Sequence, residues 1–378
     1  MISVILTILA YPVLSLLLAF RKNAYPRRIL VVQTAKIGDL ICSTPVFKAV
    51  KEHFPHVHLA AMVTSTTREL LAYNPRIDEV IVIDHTLLHG VRGKFRMARM
   101  IRQKRFDVAL CLNPNVIYAF ALIWALIPVR LSIMPNFRGT TFRIASRFFT
   151  FLEPYRKGQL VTRTYMNMLK NIGIESDDLT KEVYQAEGAD DKVRNITKSA
   201  ANAPLIGIAL SSGNKLKELG SDKLAALVTL IVSETNAIAV LIGSREDHET
   251  ADHIVRAINR PERVLNLTGM LTLTELPALL TRLSVFVGVD TGITYMADAL
   301  SIPIVHLVGP SDTAEQHPTG TDVEIIQSSL PCAPCTYVYK TKNFCGRGTR
   351  ECIRSLSIDD IYSAVRKMLV SHPTGRTA

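Results

Sequence analysis

The sequence predicts an α/β protein with two doubly wound Rossmann-like domains and an apolar helix in front of them. The chain has 378 residues, which suits about two domains at ~150 residues each. Its 48% hydrophobic and 20% charged residues are typical of a folded globular protein, not of a disordered or fibrous one. Short apolar runs alternate with helix-length segments in two series, which indicates parallel βαβ units.

Residues 1–22 form an apolar segment that we expect to associate with a membrane. No charge occurs before Arg21, and the cations Arg21, Lys22, Arg27 and Arg28 follow the apolar run. A secretory signal would carry its cations in front, so cleavage is not expected, and the positive-inside rule keeps the rest of the chain cytoplasmic. Pro12 interrupts the run, which leaves both a kinked span and a helix lying in the membrane interface open.

The first series of elements gives an N-terminal domain over residues 28–175. Its predicted strands lie at 28–33, 57–63, 79–83 and 106–112, and its predicted helices at 38–53, 66–72, 91–104 and 117–126. A less regular basic region follows at 130–170.

The second series gives a C-terminal domain over residues 190–355, after a polar, acidic stretch at 176–191. Its predicted strands lie at 205–210, 237–242, 264–267, 285–289 and 303–308, and its predicted helices at 221–233, 248–258, 273–280 and 291–300. A C-terminal helix is expected within 356–370. Two such domains facing across a cleft would bind ligands at the carboxyl ends of their strands.

Charge is distributed unevenly between the two halves. Residues 1–170 carry 24 Lys and Arg against 8 Asp and Glu, whereas residues 171–378 carry 20 against 25. The basic half favours an anionic partner such as a phosphate or an anionic membrane surface, although solvated lysines and arginines would give the same count. No zinc-finger spacing, aromatic RNA signature or recognition-helix pattern is present, so no nucleic-acid partner is expected. The cations that could face the membrane are Arg92, Lys94, Arg96, Arg99, Arg102, Lys104, Arg105, Arg138, Arg143 and Arg147.

Two loops follow predicted strands and open helices. The loop at 33–39 lacks the glycine pattern of dinucleotide-binding enzymes, and its Asp39 stands in the first turn of a helix, where it could also merely complement the helix dipole. The block at 288–292 combines glycines with Asp290 and Thr291. Its backbone N–H groups suit a phosphate and Asp290 could bind a sugar hydroxyl, while an ordinary N-cap is the alternative.

Two further loops carry charged residues at strand ends. Ser212 and Gly213 precede Lys215 and Lys217, whose ammonium groups could neutralise a diphosphate. The loop at 243–247 carries Glu246 and Asp247, whose carboxylates could hold a ribose.

Four cysteines crowd into one stretch with the spacing C-x2-C-x9-C-x6-C. They could form a structural zinc site, with reduced thiols or a disulfide as the alternatives. The candidate tetrad is Cys332, Cys335, Cys345 and Cys352.

The runs ILVVQTAKIGDLICSTPVFKAVKEHFP, KLKELGSDKLAAL, LIGSRED and LTGMLTLTELPALLTRLSVFVGVDTGITYMADALSIPIVHLVGP resemble glycosyltransferase family 9, the ADP-heptose:lipopolysaccharide heptosyltransferases. The resemblance covers roughly residues 28–370 and includes the cysteine-rich tail. It implies a GT-B fold and inverting transfer, with no cofactor or catalytic metal, from a nucleotide-diphosphate sugar. The acceptor implied is lipopolysaccharide core or another lipid-linked glycan, at the cytoplasmic face of the inner membrane.

Carried over residue by residue, the resemblance makes Asp39 the general base and Lys217 the lysine that meets the donor phosphates. Asp290, Thr291 and Gly292 match the donor-binding block, and Glu246 or Asp247 lies near the position of a ribose carboxylate. Three places depart from the family pattern: Tyr295 stands where histidine is usual, Leu219 where an aromatic residue is usual and Gly220 where proline is usual. A transferase with another nucleotide sugar, or a non-catalytic nucleotide-sugar-binding membrane protein, is the alternative.

Overall fold

The computed structural model describes residues 2–21, 25–136 and 139–372. The chain divides into two compact units, Met1–Thr180 and Lys181–Ala378. Each unit holds a six-stranded, wholly parallel sheet with helices. The strand orders are β3-β2-β1-β4-β5-β6 and β12-β11-β10-β7-β8-β9, the same doubly wound order twice. The predicted fold class of two Rossmann-like units and an N-terminal apolar helix is confirmed.

Among its described residues, the N-terminal unit has the first six strands and eight α-helices. The strands are β1 Arg28–Val32, β2 His58–Thr64, β3 Glu79–Ile83, β4 Val108–Cys111, β5 Val129–Met134 and β6 Phe151–Pro154. The α-helices are α1 Ile2–Ala19, α2 Ile37–Ile41, α3 Thr44–His53, α4 His85–Leu88, α5 Gly90–Gln103, α6 Val116–Trp124, α7 Thr140–Ala145 and α8 Val161–Leu169. Short 3-10 turns occur at Arg68–Leu71, Ser146–Phe148 and Lys170–Ile172.

The C-terminal unit repeats the alternation. Its strands are β7 Leu205–Ala209, β8 Ile238–Ile242, β9 Val264–Asn266, β10 Val285–Val289, β11 Ile304–Val308 and β12 Val323–Gln327. Its α-helices are α9 Ala189–Ile196, α10 Ser221–Glu234, α11 His248–Ala257, α12 Leu276–Leu280, α13 Gly292–Ala299, α14 Glu351–Arg354 and α15 Ile358–Ser371. Its 3-10 turns are Lys198–Ala200, Lys215–Lys217, Arg245–Asp247 and Pro261–Arg263.

The central strands are buried on both faces, as their unbroken apolar runs predict. All five residues of β7, β10 and β11 are buried, and so are four of the five in β1. Helices cover both faces of a parallel sheet, so its strands do not alternate between apolar and polar side chains.

The single helix predicted at 38–53 is wrong: α2 and α3 are separate helices. Pro45 has no N–H to donate to the carbonyl of Ile41, four residues earlier. The hydroxyl of Thr44 donates to that carbonyl instead, at 2.8 Å, and the hydroxyl of Ser43 donates to the carbonyl of Leu40 at 2.7 Å. The helix therefore restarts after a two-residue turn.

The region at 130–170 is more regular than predicted, because β5, β6, α7 and α8 lie there. Arg130 is 4% exposed within β5, and its guanidinium donates to the backbone carbonyls of Phe148 and Pro128. Backbone carbonyls satisfy this buried charge. Because Arg130 interrupts the apolar run, the sequence pattern does not predict strand β5. Strand β12 was also missed, and the helix predicted at 66–72 is a 3-10 turn. Of the basic residues singled out above, Lys22 and Arg138 lie outside the described residues.

Candidate active site

In the C-terminal unit, β7 pairs with β10 on one side and with β8 on the other, so the strand order reverses there. Ligands of doubly wound sheets bind at such a switch point, outside the carboxyl ends of the strands. The chain after β7 carries Lys217 and the chain after β10 carries Asp290. The topology therefore brings two predicted site residues, far apart in sequence, to one edge of the sheet.

Asp290 is 7% exposed, and both of its carboxylate oxygens accept hydrogen bonds. Tyr295 donates its hydroxyl to Oδ1 at 2.6 Å. Lys217 Nζ and the Ser311 hydroxyl each donate to Oδ2 at 2.5 Å. Through these contacts the carboxylate holds the lysine, and the binding of a sugar hydroxyl by Asp290 stays a prediction.

The charge of Lys217 decides the protonation of Asp290. Burial alone would raise the pKa of this carboxyl group, but the ammonium group, the nearby His306 and the hydrogen bonds from Lys217 and Ser311 lower it to about 2. Asp290 is therefore ionised at neutral pH. Because Lys217 keeps 18% of its side chain exposed, the pair places a cation at the rim of the sheet.

The N-terminus of α13 lies directly after Asp290. Thr291 is its N-cap residue, has an extended conformation and makes no side-chain cap bond. The first N–H groups of the helix, from Gly292 onward, have no carbonyl acceptor within the helix. Gly288, in contrast, serves packing: a Cβ there would lie 2.7 Å from the Thr294 hydroxyl and 2.6 Å from the Phe286 ring. A side chain at this position would therefore collide with neighbouring protein side chains.

The loop after β7 is tied to the same edge. The Ser212 hydroxyl donates to the backbone carbonyl of Asp290 at 3.3 Å, and the Asn214 side chain accepts from the N–H of Leu216. Gly213 is exposed. Lys215 is 81% exposed and pairs with Glu218 at 3.0 Å, so of the two lysines only Lys217 reaches Asp290 in this arrangement.

The structure separates the two carboxylates predicted to hold a ribose. Asp247 is 6% exposed and accepts from Ser211 and from the N–H and hydroxyl of Ser244. Glu246 is exposed in the same 3-10 turn. Asp247 therefore connects the loops after β7 and β8, whereas the carboxylate of Glu246 is open to solvent.

Sequence reasoning missed His306, which sits in β11 opposite Gly288 of β10. It is fully buried, and within the described structure neither ring nitrogen has a hydrogen-bond partner. Burial lowers its pKa to about 4, although Asp290 acts in the opposite direction. The only sequence signal is one histidine inside an otherwise apolar strand, IVHLV.

In the N-terminal unit, Asp39 follows β1, the strand at the equivalent switch point, which pairs with β2 on one side and β4 on the other. It is the third residue of α2, half-buried, and its Oδ2 accepts the N–H of Lys36 at 3.2 Å. Gln33 is 1% exposed and donates to the backbone carbonyl of Asp39 at 3.4 Å. The buried side chain of Gln33 therefore holds the backbone of the loop, while Asp39 remains partly exposed to solvent.

The four cysteines of the tetrad lie close together around one cavity. All four side chains line one cavity of about 90 Å³ and are free cysteines. Burial, followed by the proximity of the other three thiols, raises the pKa of Cys352. Among the described residues, however, no group of three or more His, Cys, Asp or Glu side chains is placed to hold a metal ion. The structure does not support the predicted zinc site.

The two Rossmann-like units, each with a polar cluster at its switch point, have the fold of the GT-B type. The model of glycosyltransferase family 9 (heptosyltransferase) matches residues 94–343. The chain therefore belongs to glycosyltransferase family 9, as the resemblance predicted, and is an enzyme.

Two relatives of this chain are lipopolysaccharide heptosyltransferases. The chain is 25% identical to lipopolysaccharide heptosyltransferase 2 of Salmonella typhimurium, over 79% of this chain and 88% of the relative. It is 21% identical to lipopolysaccharide heptosyltransferase 3 of Escherichia coli, over 73% and 81%.

Solved structures share the fold at low identity. The E. coli ADP-heptose lps heptosyltransferase II superposes with a TM-score of 0.73 at 20% identity, covering 92% of this chain and 100% of that one. A family 9 glycosyltransferase from Veillonella parvula superposes with a TM-score of 0.74 at 20% identity, covering 91% and 98%.

Proposed function

We propose that this enzyme transfers heptose from ADP-heptose to the core of lipopolysaccharide, with inversion at the anomeric carbon and without a catalytic metal. The names of its relatives suggest the sugar and the acceptor. The observation that carries the proposal is the Lys217–Asp290 pair beside the start of α13, because this places a held cation and helix N–H groups at one sheet edge.

The donor diphosphate binds at this edge of the C-terminal unit. Lys217 meets the charge that develops on the departing nucleoside diphosphate, and the N–H groups at Thr291 and Gly292 share it. Asp290 is a positioning residue, because its carboxylate accepts a hydrogen bond from the ammonium group, and Tyr295 positions Asp290 in turn by donating to its other oxygen. Ser212, Gly213 and Lys215 line the approach, and Glu246 is available for the nucleotide ribose.

The acceptor binds to the N-terminal unit, where Asp39 acts as general base. Its carboxylate takes the proton of the acceptor hydroxyl while that oxygen forms a bond to the anomeric carbon. The bond between this carbon and the phosphate oxygen breaks, and the nucleoside diphosphate leaves with the electron pair. A positioned base contributes ~10²–10⁴ to the rate of such a step.

The enzyme works at the cytoplasmic face of the inner membrane, attached through its N-terminal segment. The described residues contain one helix, α1, that is long and apolar enough to cross a membrane. The basic N-terminal half supports an acceptor that is lipid-linked and anionic.

A panel of nucleotide sugars tests the proposal. Purified full-length enzyme is incubated with each sugar and with heptose-deficient lipopolysaccharide, and release of the nucleoside diphosphate is measured. Turnover with ADP-heptose above all others is expected. Preferential turnover with another nucleotide sugar would show that ADP-heptose is not the donor and would support a transferase with that other sugar.

A further inference from the structure

Helix α1 has two faces, although nearly every residue in it is apolar. One face is exposed: Leu9 is 75% exposed and Val13 is 62% exposed. The large apolar residues that are more than half exposed recur every three or four positions, so they lie along one side of the helix. This apolar stripe consists of Ile2, Ile5, Leu9, Val13, Leu16 and, directly after the helix, Phe20.

The opposite face is docked on the N-terminal unit. It packs against α6 and α7, and Val4, Leu14 and Leu18 belong to the hydrophobic core of the unit. Helix α6 is itself apolar almost all round, with the sequence VIYAFALIW, so α1 covers a surface that would otherwise meet water.

Polar contacts hold α1 in its docked position, one within the helix and one directly after it. The indole N–H of Trp124, the single tryptophan of the chain, donates to the hydroxyl of Thr7 at 2.9 Å, and Thr7 is 0% exposed. After the helix, the guanidinium of Arg21 donates to the carbonyl of Leu126 at 2.8 Å. Such contacts are specific to the docked position and have no counterpart in a lipid-surrounded helix.

Cations lie beside the docked helix. Lys94 Nζ donates to the hydroxyl of Ser3 at 3.4 Å. Arg143 lies in α7, which contacts α1, and Arg147 precedes Phe148, whose ring stacks on Tyr11 of α1. Both arginines are exposed. An apolar stripe flanked by cations complements a bilayer of anionic phospholipid, which offers hydrocarbon below negative headgroups.

We infer that α1 lies in the plane of the membrane interface while docked on the N-terminal unit, and that it does not cross the bilayer. The apolar stripe enters the acyl boundary, and the flanking cations meet the headgroups. The inference refines the membrane attachment proposed above: it states which surface of the enzyme faces the lipid.

Two properties oppose a membrane span. Crossing would break the Thr7 and Arg21 contacts and uncover α6. Pro12 has no N–H to donate to the carbonyl of Ile8, and an unsatisfied carbonyl is costly in hydrocarbon but can be hydrated at the interface.

Vesicle flotation tests the apolar stripe. Full-length protein is mixed with vesicles of phosphatidylethanolamine and phosphatidylglycerol, and the bound fraction is measured. The double variant Leu9→Glu/Val13→Glu should bind at least ~10-fold less, because it puts charge where lipid contact is expected. The matched control is Met270→Glu/Phe344→Glu, two exposed apolar residues of the C-terminal unit, and it should bind like the wild type. Equal binding of the wild type and the Leu9/Val13 variant would overturn the inference, provided both unfold at the same temperature.

Topology is tested separately on wild-type protein with an N-terminal epitope and a protease site. An in-plane helix leaves the epitope outside sealed vesicles, so protease should remove it without detergent. Protection until detergent is added would show a span and overturn the inference. Turnover of a detergent-dispersed acceptor is measured in parallel. If the wild-type protein binds vesicles as expected but transfers no heptose, the result counts against the proposed function. It does not contradict the inference that α1 lies in the membrane interface.

Discussion

In the C-terminal unit, Nζ of Lys217 lies 2.5 Å from Oδ2 of Asp290, a residue 73 positions away in the sequence. The two residues follow adjacent strands, β7 and β10, and they meet because the strand order reverses between these strands. The carboxylate is buried and satisfied by three donors, whereas the lysine reaches the surface. The buried carboxylate of Asp290 thus fixes the position of the positive charge of Lys217.

The first prediction concerns this charge. Lys217→Met should lower kcat/KM for the nucleotide sugar by ~10²–10³, the scale observed when one preorganised donor to a developing anion is removed. Lys215→Met is the matched control, because Lys215 is 81% exposed and bonded to Glu218, and it should lower kcat/KM far less. Steady-state kinetics of both variants provide the measurement. Equal losses would contradict the assignment of Lys217.

The second prediction concerns Asp39. Asp39→Asn should lower kcat by ~10²–10⁴ through loss of the general base, while the dissociation constant of the donor stays the same. Calorimetric titration and turnover assays separate the two effects. Glu52→Gln, an exposed carboxylate of α3, should behave like the wild type in both assays. Normal turnover of Asp39→Asn would remove Asp39 from the mechanism.

The third prediction concerns pH and His306. Burial lowers the pKa of His306 from 6.5 to about 4, so between these pH values the unfolded chain binds a proton that the folded chain does not. The free energy of unfolding should therefore fall as the pH drops from 6.5 to 4, by up to ~1.4 kcal/mol per pH unit from this residue. His306→Leu should make the decrease shallower, measured by denaturant titration at several pH values.

A matched histidine controls for unrelated titrations in that experiment. His56 is exposed, and His56→Leu should keep the wild-type slope. If His306→Leu also keeps that slope, His306 does not remain neutral through this pH range in the folded protein.

The fourth prediction concerns a buried ion pair. Lys181 Nζ lies 2.7 Å from Oδ2 of Asp298, with both side chains at most 3% exposed. Asp298→Ala should lower the free energy of unfolding by ~3–5 kcal/mol, because it leaves a buried ammonium group without its carboxylate. Asp191→Ala removes an exposed pair with Arg194 and should lower it by less than ~1 kcal/mol. Comparable losses in urea titrations would show that Lys181 finds another partner.

Much of the fold could be predicted because parallel strands are buried on both faces. The run VFVGV at β10 has the predicted limits, and β1 differs from its prediction by one residue at its end. Strand β5 was missed because Arg130 interrupts its apolar run. The folded unit tolerates this charge because the backbone carbonyls of Phe148 and Pro128 accept hydrogen bonds from the guanidinium group.

The candidate site was predictable as a set of residues but not as an arrangement. Loops after buried strands pointed to Lys217 and Asp290. Nothing in the local sequence showed that Asp290 would be buried under Lys217 and Tyr295, or that Asp247 and Glu246 would face different surroundings one residue apart.

The sequence alone determined the α/β class, the two repeats of the alternation and the family, because these depend on local periodicity and on short motifs next to strand ends. Tertiary structure alone decided which side chains meet. Strand order brings Lys217 to Asp290, and docking on α6 divides a uniformly apolar helix into a covered face and the apolar stripe. Contacts between distant segments depend on packing, and no local pattern of residues encodes them.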